Sequence, residues 1–263
     1  MARIKAFLTR LTLDQWQAID AEYRRESLPD PRAVWVLVTA AVALVLGRYL
    51  GQDYVFNELT TLREWFSGLP YPRLHPHVYW GLFKLIYYAL LPMLCIAFVL
   101  KRPLRDFGLQ WTGTRKVGLA YAGMLAVVAP FVYWASTTPA FQRTYPKFRG
   151  AGDSIAELLI WEATYALQFV ALEFFFRGFL IFALARYIGS LAIFVMVVPY
   201  ALIHFSKPFA ECMGSIIAGI ALGTIALRTG SIWGGAALHV TVGLSMDLLA
   251  LARVGKLQRL FLE

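Results

Sequence analysis

Long hydrophobic blocks separated by short polar segments run along almost the whole chain. Apolar runs lie near 33–50, 77–100, 117–136, 190–205, 210–228 and 232–252, and a longer one covers about 155–188. A membrane-spanning helix needs ~20 consecutive apolar residues. The pattern therefore predicts an all-α fold, a polytopic transmembrane helical bundle of about seven to eight spans.

The first 31 residues follow a different pattern. Apolar residues repeat there at helical spacing, at Ile4, Phe7, Leu8 and Leu11. Residues 12–15 (TLDQ) fit a capping box that opens a second helix. We therefore expect an N-terminal amphipathic helix pair at 1–31, either lying on the membrane surface or packed against the bundle at 32–263.

Composition agrees with a membrane protein and excludes several other classes. Of the 263 residues, 59% are hydrophobic and 16% charged, whereas a soluble domain carries about 25% charged residues. The net charge of +9 comes from basic residues between apolar runs, as in 101–116. This is the positive-inside pattern of cytoplasmic loops and does not indicate a nucleic-acid partner. Cys95 and Cys212 show no paired spacing, so neither a disulfide framework nor a zinc site is expected.

Several ionisable residues fall inside the apolar runs of the second half, namely Glu162, Glu173, Arg177, His204, His239 and Asp247. Each costs a few kcal/mol at the bilayer centre, so each is expected to face the bundle interior or a water-filled cavity. Glu173 and Arg177 are four residues apart and share one helical face.

Three of these residues are predicted to lie at comparable depth. At ~1.5 Å per residue, Glu173 and His204 each lie roughly 23 Å from the turn near 188–189. His239 lies ~13 Å from the turn at 229–231, which belongs to the same membrane face. Glu173, His204 and His239 could therefore line one polar cavity. The simpler alternatives are a structural ion pair between Glu173 and Arg177, histidines that only pack, and an interfacial Asp247.

The same residues carry a family pattern. Residues 172–177 (LEFFFR), 200–204 (YALIH) and 227–239 (LRTGSIWGGAALH) occur in that order, and PLRDFGL stands at 103–109. Together they resemble the CPBP intramembrane proteases (CAAX protease and bacteriocin-processing, also called Abi). That family shows Glu-Glu-x-x-x-Arg, Phe-x-x-x-His and His-x-x-x-Asn motifs on three helices. The likeness covers about residues 75–250, with the catalytic core at about 155–250.

The resemblance implies an intramembrane endopeptidase of the glutamic type in the cell inner membrane. Glu173 and His204 would activate a water molecule, Arg177 would keep Glu173 ionised, and His239 would donate to the developing oxyanion. The expected partners are a membrane-associated protein or peptide substrate and the lipid bilayer. No cofactor or metal is expected.

Two departures from the family pattern keep alternatives open. Leu172 stands where the family has its first glutamate, and Gly243 stands where it has asparagine. Asp247 could partly replace the asparagine, whereas Glu162 lies ~16 Å from Glu173 along the helix. A degenerate member could serve as a binding or scaffold module. The two histidines could also bind haem b, or hold a metal with Glu173 in a metal-dependent membrane protease, although no HExxH motif is present.

Overall fold

The computed structural model describes residues 9, 12–23, 30–111 and 117–262, and these ranges contain helices and no strand. In chain order the helices are α1 (Leu13–Tyr23), α2 (Pro31–Tyr49), α3 (Val55–Glu58), α4 (Thr60–Phe66), α5 (His75–Leu100), α6 (Gly118–Ala135), α7 (Pro139–Thr144), α8 (Ile155–Ile188), α9 (Leu191–Leu202), α10 (Phe209–Thr229), α11 (Trp233–Arg253) and α12 (Lys256–Leu262). The all-helical fold is confirmed.

Six of these helices are long and apolar enough to cross a membrane: α2, α5, α6, α8, α10 and α11. The seventh predicted span corresponds to α9, an apolar helix of 12 residues. The span count thus agrees with the expected seven to eight only when α9 is included. The protein is a multi-pass membrane protein.

Helix α9 is shorter than the predicted span at 190–205. After Leu202 the backbone bonds tighten, and the N–H of His204 donates to the carbonyl of Ala201 three residues earlier, at 2.9 Å. Pro208 follows shortly and disfavours a helical residue before it. His204 therefore lies in the turn directly after α9, two residues beyond the last helical residue, Leu202.

Capping explains where the long helix α8 begins. The Ser154 hydroxyl accepts a hydrogen bond from the Glu157 backbone N–H at 3.2 Å and donates to the Glu157 carboxylate at 2.9 Å. The Ser154 hydroxyl thus caps the helix and satisfies one of the backbone donors left over at its start. Further along α8, the backbone becomes π-helical over Phe174–Ile181, where all eight residues are buried.

The chain divides into two compact units. The first contains the described residues of 1–40, 92–117 and 173–235, and the second contains those of 41–91, 118–172 and 236–263. The predicted boundary at residue 31 stays a prediction.

In the first unit, α1 packs against neighbouring helices. The Trp16 ring meets that of Phe194 edge-on at 4.9 Å, and the Tyr23 hydroxyl donates to the carbonyl of Leu227 at 2.8 Å. Of the two expected positions for the N-terminal segment, α1 thus takes the packed one. The other helix of the predicted pair, at 1–11, lies outside the described residues apart from Thr9.

The second unit is built on a mainly aromatic core. Its largest cluster of buried residues is Leu74, Phe148, Ala151, Leu158, Trp161, Tyr165, Phe169 and Leu251. Trp161, Tyr165 and Phe169 follow one another at four-residue spacing in α8, with ring centroids 5.0 Å and 4.7 Å apart. This spacing places the three rings on one face of the helix.

Candidate functional site

Glu173 and Arg177 form a buried ion pair in the first unit. The Arg177 Nη1 lies 3.0 Å from the Glu173 Oε1, and the side chains are 1% and 0% exposed, respectively. Arg177 belongs to the π-helical stretch that begins directly after Glu173. Such stretches are rare and occur frequently at functional sites. The sequence prediction of a buried acid and base on one face therefore agrees with the geometry.

Tyr200 connects this ion pair to His204. The Arg177 guanidinium carbon lies 4.1 Å from the centroid of the Tyr200 ring, a cation–π contact. The His204 Nδ1 lies 2.7 Å from the carbonyl oxygen of Tyr200, and the two rings meet edge-on at 4.7 Å. Glu173, Arg177, Tyr200 and His204 thus form one continuous set of contacts.

The hydrogen bond to Tyr200 determines the tautomer of His204. A carbonyl oxygen can only accept, so the His204 Nδ1 must carry the hydrogen. In the neutral ring, the lone pair then lies on Nε2. His204 is half-buried.

Gly235 leaves room beside the Glu173 carboxylate. A Cβ at this position would lie 3.0 Å from the Glu173 Oε2. That separation is tighter than side chains normally tolerate, so a larger residue would press on the carboxylate. Gly235, within the family-like segment ending at His239, therefore leaves space for the Glu173 carboxylate.

Two further family-like segments meet in the first unit. The Ile232 N–H donates to the carbonyl of Gly108 at 3.1 Å, and the Gln110 side chain donates to the carbonyl of Gly230 at 3.0 Å. The rings of Trp111 and Trp233 stack at 4.8 Å with an angle of 9° between them. The loop that follows α5 is thereby attached to the turn between α10 and α11.

His239 belongs to the second unit, where it packs against Phe169 with ring centroids 4.5 Å apart. The same Phe169 ring explains the glycine at 243, because any Cβ on Gly243 would overlap it. Phe169 thus occupies the space that an asparagine at 243 would need. The predicted grouping of His239 with Glu173 and His204 stays a prediction.

Asp247 is fully buried, as expected for an ionisable residue inside an apolar run. Its Oδ2 accepts a hydrogen bond from the Trp161 indole N–H at 2.7 Å, and the Lys147 backbone N–H donates to the same carboxylate at 3.2 Å. These contacts tie α11 to α8 and to the segment before it. Asp247 therefore has a structural role in the second unit.

Glu162 is 9% exposed, and neither of its oxygens accepts a hydrogen bond within the described residues. Its carboxylate is electrostatically coupled to that of Asp247. An unsatisfied buried carboxyl group is costly. Glu162 belongs to the second unit, and Glu173 to the first.

Sequence reasoning missed the roles of Tyr200 and Phe169. The sequence pattern places Tyr200 only at the phenylalanine position of the family's Phe-x-x-x-His motif, and it assigns no role to Phe169. Spacing signals the contact between Tyr200 and His204, which are four residues apart, but it does not signal the contacts of Phe169.

A comparison with protein families finds one match. Residues 154–245 match the family described as type II CAAX prenyl endopeptidase, Rce1-like. The resemblance to the CPBP family is confirmed over this segment. The matched segment contains Glu173, Arg177, His204 and His239 and covers about a third of the chain. No curated protein and no solved structure gives a significant match.

Within the described residues, no group of three or more His, Cys, Asp or Glu side chains is arranged to hold a metal ion. By residue type, the four predicted site residues offer acid–base and hydrogen-bonding chemistry.

Proposed function

We propose that the protein is an intramembrane endopeptidase of the glutamic type, with Glu173 as its general base. The contact network of Glu173, Arg177, Tyr200 and His204 carries the proposal. It joins an acid and its paired cation on α8 to an imidazole in the turn after α9. The match to the CAAX prenyl endopeptidase family supports the same reaction class.

In the proposed mechanism, Glu173 and the His204 Nε2 hold a water molecule between them. Glu173 takes a proton from the water as its oxygen attacks the carbonyl carbon of the substrate peptide bond. The proton then passes to the leaving amine nitrogen as the C–N bond breaks. Arg177 keeps Glu173 anionic for the next cycle. His239 is included because of the resemblance to the family pattern, which implies that it donates a hydrogen bond to the developing oxyanion.

The proposed substrates are membrane-associated proteins or peptides, and the proposed location is the cell inner membrane. The name of the matched family favours chains that carry a prenyl group near the scissile bond. A prenyl chain would partition into the bilayer and bring the peptide to the membrane surface.

Purified protein in nanodiscs provides the test. Prenylated peptides, their unprenylated counterparts and transmembrane peptides are incubated with wild type and Glu173→Gln, with and without a chelator. We expect cleavage by wild type, in the chelator as well, and a loss of about 10² to 10⁴ in rate for Glu173→Gln. The control is Glu162→Gln, which changes another buried acid of α8 and should retain activity. Cleavage that survives Glu173→Gln would exclude Glu173 as the base, and cleavage abolished by the chelator would favour a metal-dependent protease.

One observation favours a second candidate function. Leu172 is a buried apolar side chain where the family has an acid, and Phe169 fills the space beside Gly243. Both departures are compatible with a CPBP-like protein that has lost catalysis and binds a membrane partner. Wild type that is inert on every substrate, but co-purifies with a defined membrane protein, would favour this function.

A further inference from the structure

The start of α9 is capped by a side chain from another helix. Ser190 directly precedes α9, and its own side chain makes no capping hydrogen bond. The Ser190 backbone N–H donates instead to the Asp20 Oδ1 of α1 at 2.6 Å, across 170 positions of the chain. A carboxylate that accepts this hydrogen bond does what the acid of a capping box does, and it interacts favourably with the positive end of the helix dipole.

The turn between α8 and α9 is shaped to receive this carboxylate. Gly189, the residue before Ser190, has φ +57° and ψ −138°, a conformation that residues with a side chain rarely adopt. A Cβ on Gly189 would also collide with the Asp20 Oδ1. Glycine at 189 therefore permits both the backbone of the turn and the close approach of Asp20.

Two further residues of α1 hold it against the same helices. The Trp16 indole N–H donates to the Thr224 Oγ1 of α10 at 3.2 Å, and its ring meets Phe194 of α9 edge-on at 4.9 Å. The Tyr23 hydroxyl donates to the Leu227 carbonyl of α10 at 2.8 Å. Helix α1 is thus fixed to α10, and through its aspartate it holds the start of α9.

Helix α9 connects this capped end to the candidate site. Tyr200 lies ten residues after Ser190, ~15 Å along the helix, and His204 follows in the next turn. Each residue of a helix is rotated by a fixed angle from the one before it, so the orientation of the start determines where later side chains point. The Tyr200 ring has to stay 4.1 Å from the guanidinium carbon of Arg177. A small rotation of α9 would change this contact.

We propose that Asp20 is a positioning residue that fixes the start of α9 and, through α9, the placement of Tyr200 and His204. Its effect on catalysis rests on the proposed function, whereas its effect on α9 does not. A purely local cap would differ in one respect. Its removal would loosen the first turn of α9 and leave the far end, at 203–207, unchanged.

Amide hydrogen exchange tests the effect on α9 without any substrate. Wild type, Asp20→Asn and Asp20→Ala are compared in nanodiscs. Asp20→Ala should raise exchange roughly fivefold, the factor for one lost hydrogen bond, both in the first turn of α9 and at 203–207. Asp20→Asn keeps an oxygen that accepts the Ser190 N–H and should stay close to wild type. A rise confined to the first turn would overturn the positioning role, and so would an equal rise in α6 of the second unit.

Kinetics on the cleaved peptide test the effect on the site. Normalised to folded protein, Asp20→Ala should lower kcat about 3- to 10-fold with KM little changed, because the groups are misplaced and not removed. Asp20→Asn should retain most of kcat. The matched control is Asp14→Ala, which removes an exposed acid from the first turn of the same helix and should leave kcat unchanged.

An unchanged kcat in Asp20→Ala would overturn the proposal. An equal loss in Asp14→Ala would also overturn it, because the charge of α1 and not the hydrogen bond to Ser190 would then be responsible. Wild type that cleaves no substrate would contradict the proposed function alone, since hydrogen exchange at 203–207 still decides whether Asp20 positions α9.

Discussion

The Phe169 ring of α8 lies directly against Gly243 of α11, where any Cβ would overlap it. The same ring packs on His239 at a centroid distance of 4.5 Å. One aromatic side chain therefore accounts for a glycine at a position where the CPBP pattern has asparagine. This relationship can be tested directly, because the two residues can be exchanged separately and together.

Gly243→Asn alone should destabilise the protein. The new side chain has to displace the Phe169 ring, and overpacking of this kind costs about 1–3 kcal/mol. Adding Phe169→Ala to Gly243→Asn should recover part of the loss, because the smaller residue gives the asparagine room. Thermal unfolding of the purified variants in one detergent measures both effects. Full wild-type stability of Gly243→Asn would show that Phe169 does not close this space.

Leu172→Glu tests whether the site is inactive because leucine replaces the first glutamate of the family motif. If Glu173 is the working base, the added acid should change the cleavage rate by less than about tenfold. Leu172 is 5% exposed, so Leu172→Gln serves as the control for a polar group at the same buried position. An inert wild type that becomes active only in Leu172→Glu would identify a degenerate protease.

The Tyr200 ring should position the Arg177 guanidinium through the cation–π contact. Tyr200→Phe keeps an aromatic face for the Arg177 guanidinium, whereas Tyr200→Leu removes it. The bond from His204 goes to the backbone carbonyl and remains possible in both variants. We expect Tyr200→Phe to retain most of kcat and Tyr200→Leu to lose a large part of it, with KM changed less. Equal rates for the two variants would show that the cation–π contact does not position Arg177.

Asp247→Ala should reduce stability without involving the proposed chemistry. It removes the acceptor for the Trp161 indole N–H and for the Lys147 backbone N–H, and a buried donor left unsatisfied costs about 1–3 kcal/mol. Glu162→Gln is the matched control, since it changes another buried acid of the second unit without removing a hydrogen bond seen here. Thermal unfolding should show a lower Tm for Asp247→Ala alone. Equal Tm values for Asp247→Ala and Glu162→Gln would contradict the structural role of Asp247.

Asp153 should make stability depend on pH in the acidic range. It accepts a hydrogen bond from Lys256 at 2.6 Å and pairs with Arg73 at 2.9 Å, and these contacts lower the pKa of its carboxyl group. A lowered pKa in the folded state means that the stabilisation is complete above the unfolded value near 3.9 and is lost as pH falls through the folded value. Asp153→Asn should therefore be less stable than wild type near pH 6, and the difference should shrink below pH 4. Unfolding curves across this range measure it, and a difference that stays constant with pH would contradict the assignment.

The length of the apolar blocks was sufficient to predict the helices, because bilayer thickness fixes the length of a span. The end of α9 could not be predicted in the same way. Residues 203–205 are as apolar as the helix before them except for His204, and the tightened hydrogen bonds there depend on the following turn. The sequence correctly predicted that α1 is a helix. It did not determine whether the apolar face of α1 contacts lipid or other helices of the protein.

The sequence predicted which residues belong to the candidate site, but it predicted only some of the contacts between them. Glu173 and Arg177 could be identified from the sequence because they are charged residues inside an apolar run. Burying such residues in a membrane costs free energy, so they usually have a functional role. Which aromatic ring stands beside Arg177 depends on the π-helical winding of α8, which no spacing rule revealed. The contact between Phe169 and Gly243 joins residues 74 positions apart, and apolar periodicity does not specify such pairs.

Because the Nδ1–H of His204 is bound to the carbonyl of Tyr200, the last turn of α9 sets the direction in which Nε2 points. The neutral and the cationic ring can both keep this bond, so the orientation of the ring does not depend on its protonation state. In the proposed mechanism, His204 can therefore hold a water molecule without a ring flip, and the turn after α9 need not move during a catalytic cycle.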